Sequence, residues 1–92
     1  MIFEWDSAKN EANIAKHGID FSNAPLCFKQ RIVRWRDKRF DYGESRWIGL
    51  AKLIDVTVVV VFTLRNDLIR IISLRRANKR ERKVYQERIG DE

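Results

Sequence analysis

One cysteine and one histidine are the whole supply of soft metal ligands in this chain, so neither an internal disulfide nor a Cys/His zinc site can be assembled from it. There is no glycine-rich phosphate loop, and four glycines with one proline give no linker or low-complexity tract. No apolar run approaches the roughly 18 residues of a membrane span. The opening residues hold Glu4 and Asp6 where a signal peptide needs bases. The expectation is a cytoplasmic protein with no metal, no cofactor and no membrane contact. Cys27, within the apolar stretch 24–28, reads as a small core residue.

With 45% hydrophobic residues in 92 positions, a single domain over 1–92 with a modest core is expected. What the chain has in excess is positive charge, +6 overall, and it is unevenly placed. Residues 65–88 hold nine Lys/Arg against three acids, the first 64 residues hold ten bases against eight acids, and Asp91 and Glu92 close the chain. A basic segment localised in this way is the electrostatic footprint of a nucleic-acid partner.

Hydrophobic spacing supplies the elements. Residues 2–5 alternate as a short strand, and Asp6 or Ser7 caps a helix that runs to Lys16, with Ala8, Ala12 and Ala15 as its expected inward face and Gly18 as its stop. A second short helix is expected over 21–28, with Pro25 in its first turn. The period then shifts towards two. Strands are expected over 31–36, 46–53, 56–64 and 68–74, with polar turns between them, and a helix over 77–88. The order β-α-α-β-β-β-β-α, with short turns late in the chain, predicts an α+β fold: an antiparallel sheet with helices laid on one face.

Arg, Lys, one His, Tyr and Glu are suitable parts for phosphodiester chemistry without a metal. Strict alternation along 68–74, if the strand extends past that point, places Ser73 and Arg75 with Ile69 and Ile71, and Arg70 with Arg76 on the other side. Arg75 at a strand end suits two phosphate oxygens, or pairs with an acid as a solvated strand end. His17 is the one side chain that titrates near neutrality, and it serves equally well as a helix terminator. Glu44 and Arg46, two apart at a strand start, are expected to share a face and can form a pair, either structural or as a carboxylate base held beside its cation. Lys79, Arg80, Arg82 and Lys83 stud a helix whose thin apolar stripe is Ala77, Val84, Tyr85 and Ile89. From spacing, Tyr85 belongs to the core, as do Trp5, Trp35 and Trp47.

Taken together, Phe3-Glu4-Trp5-Asp6, the Lys16-His17-Gly18 motif, Glu44-x-Arg46 and the junction Ile71-Ile72-Ser73-Leu74-Arg75-Arg76-Ala77, followed by Glu81 and Tyr85, resemble the BrnT toxin family over almost the whole chain. The resemblance implies a RelE-like fold and a ribonuclease toxin that works without a cofactor. It also implies a partner, a BrnA-type antitoxin with a ribbon-helix-helix domain, and either a homodimer or a 2:2 toxin–antitoxin assembly. It carries the catalytic candidates onto His17, Glu44, Arg46, Arg75 and Tyr85 and its basic motifs onto Lys16 and Arg76, while charge placement adds Arg70, Lys79, Arg80, Arg82 and Lys83 as expected RNA contacts. The chain departs from the family pattern at Leu74, where alanine is common, and in its basic hairpin around Lys38 and Arg39. The alternative is a binding module that docks on nucleic acid or on an antitoxin without chemistry.

Overall fold

The structure, a computed structural model, describes residues 1–89; the terminal acids Asp91 and Glu92 lie outside the described residues. The elements are β1 (Ile2–Glu4), α1 (Ser7–His17), a 3-10 turn (Phe21–Asn23), α2 (Ala24–Cys27), β2 (Val33–Asp37), β3 (Arg46–Leu53), β4 (Val56–Arg65), β5 (Leu68–Arg76) and α3 (Lys79–Ile89). The expected α+β class and element order are therefore present. The sheet runs β1-β5-β4-β3-β2.

Two features of the predicted architecture are corrected. β2 to β5 form the antiparallel meander, but β1 lies parallel to β5, which makes the sheet mixed. Alternation at residues 2–5 revealed a strand but not its neighbour, because that pairing joins the two ends of the chain. Nor do the helices share one face. α2, the 3-10 turn and Ile19 cover Ala51, Val58, Val60, Phe62, Ile69, Ile71 and Leu74, whereas Tyr85 and Val84 of α3 pack with Leu50, Val59 and Ile48 on the opposite side. Both faces of β4 are buried, as the unbroken run Val58-Val59-Val60 implies.

α1 begins where expected, with the Asp6 carboxylate accepting from Ala8 N and Lys9 N, and ends at Gly18, whose φ of 72° suits a residue without a Cβ. Its inward face is not Ala8, Ala12 and Ala15, all of which are exposed. The buried residue is Asn13. Its amide nitrogen donates to Ile19 O (2.9 Å) and Leu74 O (2.8 Å), and its Oδ1 accepts from Leu74 N (3.2 Å). β1 pairs only with Leu68–Arg70, so the Asn13 side chain serves the β5 backbone where β1 has ended. Asn10 does similar work, accepting from Phe21 N and donating to Asp20. Helix docking through amides leaves no apolar periodicity to detect.

β5 contains an irregularity with large consequences. Val61 pairs with Ser73 and the next residue, Phe62, pairs with Ile71, so Ile72 is an extra residue in the strand. Alternation is reset there. Ile69 and Ile71 face the α1 side, as does Leu74, while Arg75, paired with Val59, faces α3. The predicted grouping of Ser73 and Arg75 with Ile69 and Ile71 is thus reversed, and so is that of Arg70 with Arg76. Arg70 and Arg75 share the α3 side, and Arg76, paired with Val58, lies on the α1 side. Leu74 is fully buried in the core beneath α1 and adds no bulk to the face that carries Arg75.

Candidate functional site

The α3 side of the sheet is only partly covered, because α3 lies over β2 and β3 around Val33, Ile48 and Leu50. Beyond it the face is polar. One row runs in register across all five strands: Asp37, Arg46, Thr63, Arg70 and Glu4. The next row holds Trp35, Ile48, Val61 and Ser73, and the one nearest α3 holds Val33, Leu50, Val59 and Arg75. At a rise of about 3.3 Å per residue, Arg46 and Arg75 lie in rows about 13 Å apart.

The predicted site residues therefore separate into two groups. At the α3 end, the Arg75 guanidinium is clasped by Glu81, Nη1 to Oε1 and Nη2 to Oε2, each at 2.8 Å. Nη1 also donates to Arg76 O at 3.2 Å. Glu81 is fixed in turn as half of a capping box: its Oε1 accepts from Asn78 N, and Asn78 Oδ1 accepts from Glu81 N. An arginine has five N–H donors in one plane. Glu81 and the Arg76 carbonyl use three, which leaves Nε–H and the second Nη2 proton side by side. That is a fork for two phosphate oxygens. The acid-paired reading of Arg75 and the phosphate-binding reading are thus compatible.

His17, the last residue of α1, is half-buried. Burial, then the positive charges of Lys16 and Arg75, hold its imidazole below the ordinary value of 6.5. It is neutral at pH 7 and lies within the field of Arg75. Beside two cations the imidazole is a weaker base than usual, but at neutral pH it is present in the unprotonated form that a general base needs.

At the far end of the face, the expected Glu44–Arg46 pair is replaced by another. Glu44 accepts from Arg65 at 2.6 Å, and this contact, more than the charge of Arg46, keeps its carboxyl ionised below the usual range. Arg46 instead stacks on the Tyr42 ring, 4.0 Å from guanidinium carbon to centroid. Its Nε is buried without a protein partner. Arg70 pairs with Glu4 at 3.4 Å. Spacing of two residues puts Glu44 and Arg46 on one side but does not decide which cation an acid prefers.

Tyr85 is in the core between α3 and the sheet, with Leu50, Val59 and Ala77, as its spacing indicated. Lys16, Arg76, Lys79, Arg80, Arg82 and Lys83 are exposed, and Arg82 also donates to Ala77 O. Cys27 is buried and its thiol is pushed up to about 11, so it stays protonated. Trp35, read as core from the sequence, is 41% exposed on the open face.

Sequence reasoning missed the network that builds the loop between β2 and β3. Asp37 accepts Arg39 Nε (2.9 Å), Arg39 Nη2 (2.8 Å), Arg39 N (3.2 Å) and Tyr42 OH (3.0 Å), and its side chain is 2% exposed. The Arg39 contacts above all hold its carboxyl well below the usual carboxylate range. A folded-state value depressed in this way adds stability above the unfolded-state value, and the contribution is lost as pH falls through the folded-state value. Asp37→Ala should therefore lower the urea midpoint at pH 6, and the gap to the wild type should close progressively below about pH 4. A gap unchanged down to pH 2.5 would mean that the carboxylate is not its source.

Among the described residues no group of three or more His, Cys, Asp or Glu is placed to hold a metal ion. No helix among them is long and apolar enough to cross a membrane. Comparison with curated proteins finds no match. Residues 5–81 match the family described as ribonuclease toxin, BrnT, of type II toxin–antitoxin systems, and with most of its length matched the chain belongs to that family of ribonuclease toxins.

Proposed function

We propose that the chain cleaves RNA without a metal, in the manner of RelE-like nucleases, with His17 and Arg75 at the reacting centre. The observation that carries this reading is the Arg75 guanidinium held by Glu81 with two donors left over, near enough to His17 at the end of α1 for its charge to act on the imidazole. His17 takes the proton of a ribose 2′-hydroxyl, and the resulting oxygen attacks the adjacent phosphorus. The free fork of Arg75 receives the charge that grows on the equatorial oxygens, with Lys16 adding attraction. The 5′-oxygen leaves with a proton from water, giving a 2′,3′-cyclic phosphate and a 5′-hydroxyl. Glu44, ionised beside Arg65, has no proton to give at pH 7.

Arg46 and Arg70 on the open face, with Lys79, Arg80, Arg82 and Lys83 on α3, draw RNA by sequence-independent attraction, and Arg76 adds to that attraction from the α1 side. A BrnA-type antitoxin, acting as a ribbon-helix-helix partner in a paired assembly, neutralises the toxin by covering the same cations.

The test is incubation of the purified protein with single-stranded RNA in excess EDTA. Cyclic-phosphate ends are expected, with kcat/KM rising with pH and levelling off below 6.5, because the base works in its neutral form and its folded-state value is depressed. His17→Gln should remove that rising limb. Cleavage abolished by EDTA and restored by a divalent ion would overturn the metal-free reading, and an unchanged pH limb in His17→Gln would remove His17 from the centre.

A further inference from the structure

We infer that Trp35 and Phe40 form a base-stacking edge that takes unpaired nucleotides of a single-stranded RNA, beside the Arg46 end of the open face. The inference rests on RNA being the substrate. Trp35 stands on β2 in the row of Ile48 and Val61, on the side that α3 leaves open, and is 41% exposed. Phe40, in the loop after β2, is 68% exposed. It is not loose. Its ring meets Tyr42 edge to face, with centroids 5.9 Å apart, and Tyr42 is pinned by its hydroxyl to Asp37 and by its face to Arg46.

The charges around these rings select the partner. Residues 36–46 hold four Arg/Lys and three acids; Asp37 and Arg39 neutralise each other and Glu44 is held by Arg65, which leaves Arg36, Lys38 and Arg46 against Asp41 around Phe40. Flat rings with cations between them match a strand whose bases have free π-faces and whose phosphates need neutralising. Duplex RNA keeps its bases stacked inside, so the edge should discriminate against it. A protein partner would bury Phe40 against apolar side chains, and leucine would then serve as well as phenylalanine.

The experiment measures fluorescence anisotropy with a labelled 12-nucleotide RNA made uncleavable by 2′-O-methyl riboses, as a single strand and annealed to its complement. Wild type, Trp35→Ala, Phe40→Ala, Phe40→Leu and Phe40→Trp are compared over a range of salt. Phe40→Ala should weaken single-strand binding by about 5- to 150-fold, the range for one lost stacking contact. The salt slope should not change, since no charge is lost. Phe40→Trp should restore binding and Phe40→Leu should not. Phe40 is the decisive position because it makes no core contact, and thermal unfolding checks the fold of Trp35→Ala. Phe40→Ala affinity within twofold of wild type, or full rescue by leucine, overturns the stacking edge and leaves the RNA reading intact. A wild-type protein that binds neither RNA overturns both.

Discussion

Arg75→Ala is expected to slow RNA cleavage by about 100- to 1000-fold, the loss that follows removal of one fixed donor from a developing oxyanion, or about 2.7 to 4 kcal/mol of barrier. The loss should fall mainly on kcat, because the single negative charge of the phosphodiester grows at the transition state, where the fork contributes most. Arg75→Lys separates charge from shape. A point charge cannot bridge two oxygens, so lysine should recover only part of the rate. Glu81→Gln tests the clasp: the amide oxygen can still accept from Asn78 N, but the carboxylate that aims Arg75 is gone. An intermediate loss of rate is expected there, with the helix retained by circular dichroism. In cells, induced wild type should arrest growth and Arg75→Ala should not. Cleavage by folded Arg75→Ala within threefold of wild type would rule out Arg75 as the phosphate ligand.

The largest effect on stability is expected at Asn13. Replacing it with alanine leaves the N–H and C=O of Leu74 without their side-chain partner and frees Ile19 O as well, all in the interior. Each buried polar group left unsatisfied costs about 1 to 3 kcal/mol, so Asn13→Ala should lose about 2 to 5 kcal/mol in urea unfolding. That is a large share of the 5 to 15 kcal/mol typical of a domain. Asn13→Asp supplies a check, since it keeps the acceptor for Leu74 N and removes both donors. Ala12→Gly, on the exposed side of the same helix, should cost only about 1 kcal/mol through helix propensity. If Asn13→Ala were as mild as Ala12→Gly, the bridge to β5 would carry no weight.

These two positions mark what could and could not be read from the residues. Alternation and punctuation located every strand and helix to within a few residues, because Val56–Arg65 is β-branched and apolar and because Gly18 and Pro25 sit where helices end and begin. The family's motifs led to His17, Arg46 and Arg75. Three things were hidden for physical reasons. Asn13 docks α1 by hydrogen bonds, which have no hydrophobic period. Ile72 is one extra residue in an apolar strand, and nothing in its side chain distinguishes it from its neighbours, yet it turns Arg75 to the other face. Ion pairing was the third, since Glu44 had Arg46 two residues away and chose Arg65 across the hairpin. Exposure of Trp35 belongs with these, because whether a ring is covered depends on how far α3 extends over the sheet.

The extra residue in β5 also bears on how this sequence tolerates change. Five positions separate Arg70 from Arg75, an odd count that an unbroken strand would place on opposite faces. A deletion of Ile72 would leave four positions between them, an even count that returns Arg70, Ser73 and Arg75 to one face of an unbroken strand, so the clasp of Arg75 by Glu81 should survive it. The bulge is what reconciles the odd spacing with a single face, and a pairing that straightened the strand without removing a residue would turn Arg75 away from Glu81. The function of this strand is stored in its register as much as in its side chains.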